Sequence, residues 1–173
     1  MTLEDRCRPI ALILSDVDGV MTDGRIYLDN HGIESKSFHV HDGLAIRLWQ
    51  KAGGKFGMVT QRSAQSLKIR AAELGVEIVR QGVTDKLAAL KQILEECNLS
   101  REQVCYLGDD LPDLPVMRVV GLSVTVADGC GELRAAAGYQ TKALGGAVAV
   151  REVVELILNS QNRWNDVIQT YLQ

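Results

Sequence analysis

Asp16 and Asp18 follow the apolar run Ala11-Leu12-Ile13-Leu14 and precede a turn that ends at Asp23-Gly24. A short unbroken hydrophobic run reads as a strand buried on both faces of a parallel sheet, and ligands bind just beyond the carboxyl ends of such strands. Residues two apart on an extended backbone project to the same side, so the two carboxylates would share that edge. Like charges held close are costly unless a cation or a shared proton separates them. The plainer alternative is that Asp16 caps a turn and Asp18-Gly19 is a bend. A second acidic group, Gly108-Asp109-Asp110-Leu111-Pro112-Asp113, follows a later apolar run. Three carboxylates beside a parallel-strand end would repel one another without a cation, although an acidic loop with helix caps would read the same way. Thr60 ends another apolar strand and Lys86 opens a helix. A cation at a helix start opposes the dipole, which favours an anion partner nearby; a lone lysine there is otherwise simply solvated.

The elements that must carry these groups alternate along the chain. After the first strand, residues 25–28 and 33–40 flank Asp29-Asn30-His31-Gly32, which predicts a β-hairpin projecting from the turn. Asp42-Gly43 opens a helix with Leu44, Ile46, Leu48 and Trp49 on its apolar positions, Asp42 being the expected N-cap, and Gly53-Gly54 ends it. Strands are expected over 55–60, 76–79, 104–107 and 122–126, with a short edge segment at 139–141. Helices are expected over 64–74, with capping by Ser63 or Thr60 as the plainer alternative to a chemical role, and over 87–97, 114–119, 131–137 and 150–158, with a last helix or ordered tail at 164–172. Ser100 to Gln103 has the pattern of a capping box. Strands alternating with helices predict an α/β fold, a doubly wound, Rossmann-like parallel sheet, with all 173 residues in one domain.

Composition narrows the class. Hydrophobic residues at 46% and charged residues at 24% are ordinary for a globular protein, and a formal net charge of −3 gives no reason to expect nucleic acid or an anionic membrane as partner. Cys7, Cys97, Cys105 and Cys130 have no CxxC or metal-type spacing and read as reduced thiols. The start MTLEDRCRP is too polar for a signal h-region and no apolar run approaches a membrane span, so the expected compartment is the cytoplasm.

In order, DVDGVMTDG, Thr60 after a strand, Lys86 opening a helix and GDDLPD after a further strand resemble the haloacid-dehalogenase-type phosphohydrolase superfamily. Within it, SFHVHDGLAIRL, QGVTDK, GDDLPDLPVM and VREVVELIL are similar to its small capless phosphatases of 3-deoxy-D-manno-octulosonate 8-phosphate, over nearly the whole chain from Ala11. The resemblance implies that Asp16 is a nucleophile forming an aspartyl-phosphate and that Asp18 protonates the leaving oxygen and later activates water. It implies Mg²⁺ held by Asp16, the carbonyl of Asp18 and Asp109, with Asp110 and Asp113 orienting waters or ligands around it. Lys86 would neutralise phosphoryl oxygens and Thr60 would donate to them. By the same resemblance Arg47, Arg62 and Arg70 contact the substrate's phosphate or carboxylate, and His39, Val40, His41, Asp42 and Gly43 line its binding segment. The resemblance further implies that the hairpin, about residues 25–40, replaces a mobile cap and packs against its equivalents in a homotetramer, and that a tail from about 145 to 173 reaches a neighbour's site.

Three positions depart from that family's pattern. Gln61 stands where Gly is usual, His41 replaces a basic Arg or Lys, and Gly145-Gly146-Ala147-Val148-Ala149-Val150 replaces a Gly-Gly-basic-Gly-Ala-Val pattern. A nine-carbon, sialic-acid-like 9-phosphate is the alternative substrate, although relatives of that branch tend to carry Glu at the position of Arg62. A phosphosugar-binding protein without catalysis is the alternative of another class.

Overall fold

Alternation along the first apolar run sends Ile13 to one face of a sheet and Leu12 and Leu14 to the other, all fully buried. The computed structural model describes residues 2–172. A short helix, α1 (Leu3–Cys7), leads into β1 (Leu12–Ser15), and a small ladder of β2 (Tyr27–Leu28) and β3 (Glu34–Ser35) follows. Then come α2 (Val40–Lys51), β4 (Lys55–Val59), α3 (Gln65–Leu74), β5 (Ile78–Arg80) and α4 (Lys86–Cys97). The second half contributes β6 (Val104–Gly108), α5 (Leu114–Met117), β7 (Leu122–Thr125), α6 (Gly131–Ala136), β8 (Tyr139–Gln140), α7 (Ala149–Ser160) and α8 (Trp164–Gln169).

Strand order in the main sheet is β5-β4-β1-β6-β7-β8, parallel throughout. The chain winds outward from β1 through β4 to β5, then returns to the other side of β1 with β6 and winds outward again. The crevice between β1 and β6 is therefore the topological switch point, where open α/β sheets bind ligands. Helices α2, α3 and α7 cover the face holding Ile13, Met58 and Leu107, while α4, α5 and α6 cover the face holding Leu14, Val59 and Tyr106. The α/β sheet expected from the sequence is present, with element ends shifted by one or two residues.

Three local expectations are corrected. The hairpin ladder is only Tyr27 opposite Ser35 and Leu28 opposite Glu34, because beyond Ser35 the chain turns inward and buries the Lys36 side chain. Its turn is as the sequence implies: Asp29 Oδ1 accepts from the amides of His31 and Ile33, both at 2.8 Å, and Gly32 has φ +76°. Helix α2 starts two residues before Asp42, with His39 as N-cap accepting from the His41 amide at 3.2 Å. Asp42 instead lies buried and accepts the Arg151 amide at 2.8 Å, so it caps the first turn of α7 from a neighbouring helix. Neither Thr60 nor Ser63 caps α3, whose preceding residue Ala64 makes no side-chain cap and donates its amide to Gln81 Oε1 at 2.7 Å.

The reason α7 borrows a cap is visible at Val148, its own N-cap position. Val148 has φ +72°, a left-handed conformation that a β-branched residue adopts only under strain, and its side chain has no oxygen to offer. In the pattern the chain resembles, Gly occupies this place. Just before it, Gly145 and Gly146 press onto the turn after β1: a Cβ on either would run into the backbone of Gly19, Thr22 or Asp23. Val148→Gly should therefore stabilise the protein by about 1 kcal/mol, since left-handed strain is worth about 1–2 kcal/mol and the more flexible unfolded glycine returns part of it. Urea denaturation of the two proteins measures this directly, and an unchanged or lower midpoint would refute it.

Candidate active site

Asp16 is the first residue past β1, and its amide donates to Leu107 O at 2.9 Å, tying it to β6. Asp109 is the first residue past β6. Adjacent parallel strands thus deliver two carboxylates side by side. Between them the chain turns at Gly19 with φ +93°, and a Cβ there would collide with the Asp109 carboxylate. The turn after β1 can approach this close only as glycine.

Asp113 completes the acidic group: one oxygen from each of Asp16, Asp109 and Asp113 lies within 4.8 Å of the others. Asp113 is 1% exposed, and both of its oxygens are engaged. Oδ1 accepts from Lys86 Nζ and from Tyr106 Oη, each at 2.6 Å, and Oδ2 accepts from the amides of Asp109 at 3.1 Å and Asp110 at 3.4 Å. A carboxylate has about four acceptor sites, so Asp113 has none left for an ion and serves to hold the turn and the lysine. Asp110 caps the 3₁₀ turn Leu111–Asp113, its Oδ1 accepting the Leu111 amide at 2.8 Å.

Lys86, the first residue of α4, is 5% exposed and also pairs with Asp16 Oδ1 at 3.0 Å. Burial pulls its pKa down, but the carboxylates of Asp16 and Asp113 more than offset this and raise it, so it stays an ammonium. The carboxylates fare differently. Burial and then the charge of Asp113 push Asp16 up to about 6 despite Lys86, and burial with the charges of Asp16 and Asp113 pushes Asp109 up to about 8. One ammonium does not neutralise three acids. A hard-oxygen donor set with more negative charge than its surroundings balance fits a divalent cation such as Mg²⁺ at Asp16 and Asp109.

Thr60, one residue past β4, is buried; its Oγ1 donates to Asp18 Oδ2 at 3.3 Å and accepts from the Arg62 amide at 3.1 Å. Those commitments explain why it does not cap α3. Together Asp16, Asp18, Thr60, Arg62, Lys86, Asp109, Asp110 and Asp113 line one cleft of about 160 Å³. A larger groove of about 330 Å³ lies at the opposite end of the strands, beside Lys55, Glu77, Arg80 and Glu96, with no comparable clustering of acids.

The remaining predicted contacts lie elsewhere within one chain. Arg47 is exposed on α2 and donates to the Glu73 carbonyl at 2.9 Å. Arg70 on α3 pairs with Glu73 at 2.8 Å, stacks over Phe38 at 5.9 Å and fills the space left by Gly43. His39, Val40, His41 and Asp42 form the start of α2 and do not line the cleft. Three contributors were not anticipated from sequence. Tyr106, midway along β6, reaches Asp113, and Lys36 and Glu34 of the hairpin segment reach Asp18 and Arg62. The Glu34-x-Lys36 spacing, which puts both side chains on one side of an extended backbone, was the available signal.

Residues 70–144 match the haloacid dehalogenase-like hydrolase model. Over 158 residues the chain is 46% identical to 3-deoxy-D-manno-octulosonate 8-phosphate phosphatase KdsC of Yersinia pestis, covering 91% of this chain and 84% of that one. The chain belongs to the KdsC family of haloacid dehalogenase-like hydrolases. KdsC of Escherichia coli K12 is 43% identical over 157 residues, again covering 91% of this chain and 84% of the relative. Among solved structures, a 3-deoxy-D-manno-octulosonate 8-phosphate phosphatase of Moraxella catarrhalis, in complex with a magnesium ion, a phosphate ion and a KDO molecule, superposes with a TM-score of 0.95. It is 39% identical, and the match covers 97% of both chains. The KdsC-family fold thus includes the sheet and the crevice between β1 and β6.

The pKa shifts give the site a measurable signature. Asp16 has a folded pKa of about 6 against an ordinary value of 3.8, so its protonated form is favoured by folding, and the stability it supplies at low pH is lost as pH rises through about 6. Asp16→Asn, which cannot ionise, should be more stable than the native protein in metal-free thermal unfolding near pH 7.5, by about 2 kcal/mol. That advantage should shrink as the pH falls towards about 4, and a variant less stable at neutral pH would contradict this electrostatic picture.

Proposed function

We propose that the protein is a Mg²⁺-dependent phosphatase hydrolysing 3-deoxy-D-manno-octulosonate 8-phosphate, a phosphoric monoester hydrolase of lipopolysaccharide-type sugar synthesis. The observation that carries this is the cluster of Asp16, Asp109 and Asp113 with Lys86 at the sheet's switch point, in a chain 46% identical to the Yersinia pestis enzyme. Phosphate monoesters are among the slowest substrates to hydrolyse in water, so a nucleophile and charge neutralisation are both needed.

Asp16 supplies the nucleophile. Its carboxylate attacks phosphorus, the bond to the sugar oxygen breaks, and that oxygen takes a proton from Asp18, releasing the sugar acid. Water then attacks the aspartyl-phosphate, giving its proton to the Asp18 carboxylate, and Asp16 is regenerated as phosphate departs. Lys86 keeps Asp16 oriented and offsets charge on the phosphoryl oxygens, and Thr60 holds Asp18 and donates within the same cleft. The carboxylates of Asp16 and Asp109 and the carbonyl of Asp18 would hold Mg²⁺, which when bound would supply positive charge where an anionic nucleophile meets an anionic ester. Asp113 and Asp110 fix the turn that presents Asp109. Phosphate release from the eight-carbon substrate should require Mg²⁺, cease with EDTA, and fall by at least about a thousandfold in Asp16→Asn. Release that survives either treatment, or a preference for the nine-carbon 9-phosphate, would overturn the assignment.

Arg62 lines the cleft of its own chain with Nε and Nη2 on Glu34, which leaves Nη1 to meet the substrate's carboxylate. Arg47, Arg70 and residues 39–43 reach substrate only where subunits meet, and we propose a homotetramer built on the hairpin. Support comes from the apolar side chains it leaves uncovered: Ile26, Leu28 and Ile33 are all more than half exposed, on a two-stranded unit too small to be stable alone. Light scattering should give four chains for the native protein and fewer for the double variant Leu28→Asp, Ile33→Asp; an unchanged mass would exclude the hairpin as the interface. The cytoplasm is the proposed compartment, supported by four free cysteines and by the lack, among the described residues, of a helix long and apolar enough to cross a membrane.

A further inference from the structure

Lys36 belongs to none of the acidic or phosphate-facing motifs, yet its side chain is only 3% exposed and ends in the active site. Its ammonium donates to Asp18 Oδ1 and, at 2.7 Å, to Glu34 Oε1. Glu34 accepts in turn from Arg62, Nη2 at 2.6 Å and Nε at 3.3 Å. Asp18, Lys36, Glu34 and Arg62 thus form a row of alternating charge that joins the turn after β1, the hairpin strand β3 and the loop after β4. Arg62 and Lys36 hold the Glu34 carboxyl down to about 2, so the middle of the row stays ionised.

The two oxygens of Asp18 are left in different surroundings. Oδ1 faces an ammonium, which has donors and no lone pair, whereas Oδ2 faces the Thr60 hydroxyl, which can donate or accept. A proton on Oδ1 would point an O–H at a cation, and a proton on Oδ2 would not.

We propose that Lys36 is a positioning residue for proton transfer: it pins Asp18 through Oδ1 so that the proton passed to the leaving oxygen is carried on Oδ2. This rests on Asp18 being the proton donor in the mechanism above. In the step concerned, Asp16 bonds to phosphorus, the phosphorus–oxygen bond to the sugar breaks with its electron pair on the sugar oxygen, and that oxygen bonds the proton from Asp18 Oδ2. Lys36 forms and breaks no covalent bond. Positioning of this kind is effective because a carboxyl that swings between orientations spends part of its time unable to reach the ester. The hairpin is then a working part of the site as well as a surface.

The test uses the full chain with saturating Mg²⁺ and two substrates. The sugar-acid 8-phosphate expels an alkoxide that needs a proton, and p-nitrophenyl phosphate expels a phenolate that leaves without one. In Lys36→Met, the ratio of kcat/KM for the sugar ester to that for the aryl ester is expected to fall about tenfold or more, with the loss in kcat. The same ratio should fall in Asp18→Asn, and adding Lys36→Met to it should lower the ratio no further. Equal losses on both esters would make Lys36 a structural anchor and overturn the proposal, as would no loss or a loss confined to KM. An unchanged ratio in Asp18→Asn would instead remove the premise about the donor, while leaving the wild-type phosphatase assignment to stand on its own measurement.

Discussion

One ammonium among buried carboxylates governs this structure. Lys86 sits between Asp16 and Asp113, and the place it fills is made by three separate elements: the end of β1, the start of α4 and the turn after β6. Removing the lysine would leave the clustered acids with no compensating ammonium in a low-dielectric setting, which costs several kcal/mol. The lysine therefore fastens the two halves of the sheet at their junction. It also leaves the acids undercompensated, and that residual imbalance equips the same place to take a divalent ion and an anionic ester.

Work is divided among the carboxylates by their hydrogen bonds. Asp113 has every lone pair engaged and acts as a strut, Asp110 is spent on a turn, and Asp16 and Asp109 keep oxygens free. Asp18 is held apart by Lys36 and Thr60. Residues of one chemical type, close together in sequence, are assigned different tasks by what donates to them. Backbone closeness enforces the arrangement, since Gly19 lets the turn after β1 lie against Asp109 and Gly145 and Gly146 let the later segment lie against that turn.

Much of this was legible in the sequence. The unbroken run before Asp16 and the run before Asp109 mark buried parallel strands, and acids at the ends of such strands are a placement signal by themselves. Lys86 was legible because a cation at a helix start wants an anion. What was not legible depended on distant partners. Asp42 looked like the N-cap of its own helix, but its carboxylate instead accepts the Arg151 amide of α7, more than a hundred residues away, where the N-cap Val148 has no oxygen to offer. Lys36 received no reading of its own from the sequence, because alternation tells which side of a strand a residue faces but not what lies opposite. Thr60 looked equally able to cap α3, and only the position of Asp18 decides against that.

The strand order has a consequence for how the chain acquires its chemistry. β1 is made early in synthesis, but one of its two neighbours, β6, does not begin until Val104. A nascent chain of about a hundred residues can pair β1 with β4 and β5, leaving the other edge of β1 open, and unpaired edges are prone to join other chains. Contacts this far apart in sequence also form slowly. The crevice between β1 and β6 is thus among the last features to exist during folding, and a nascent chain of that length carries Asp16 and Lys86 but neither Asp109 nor Asp113.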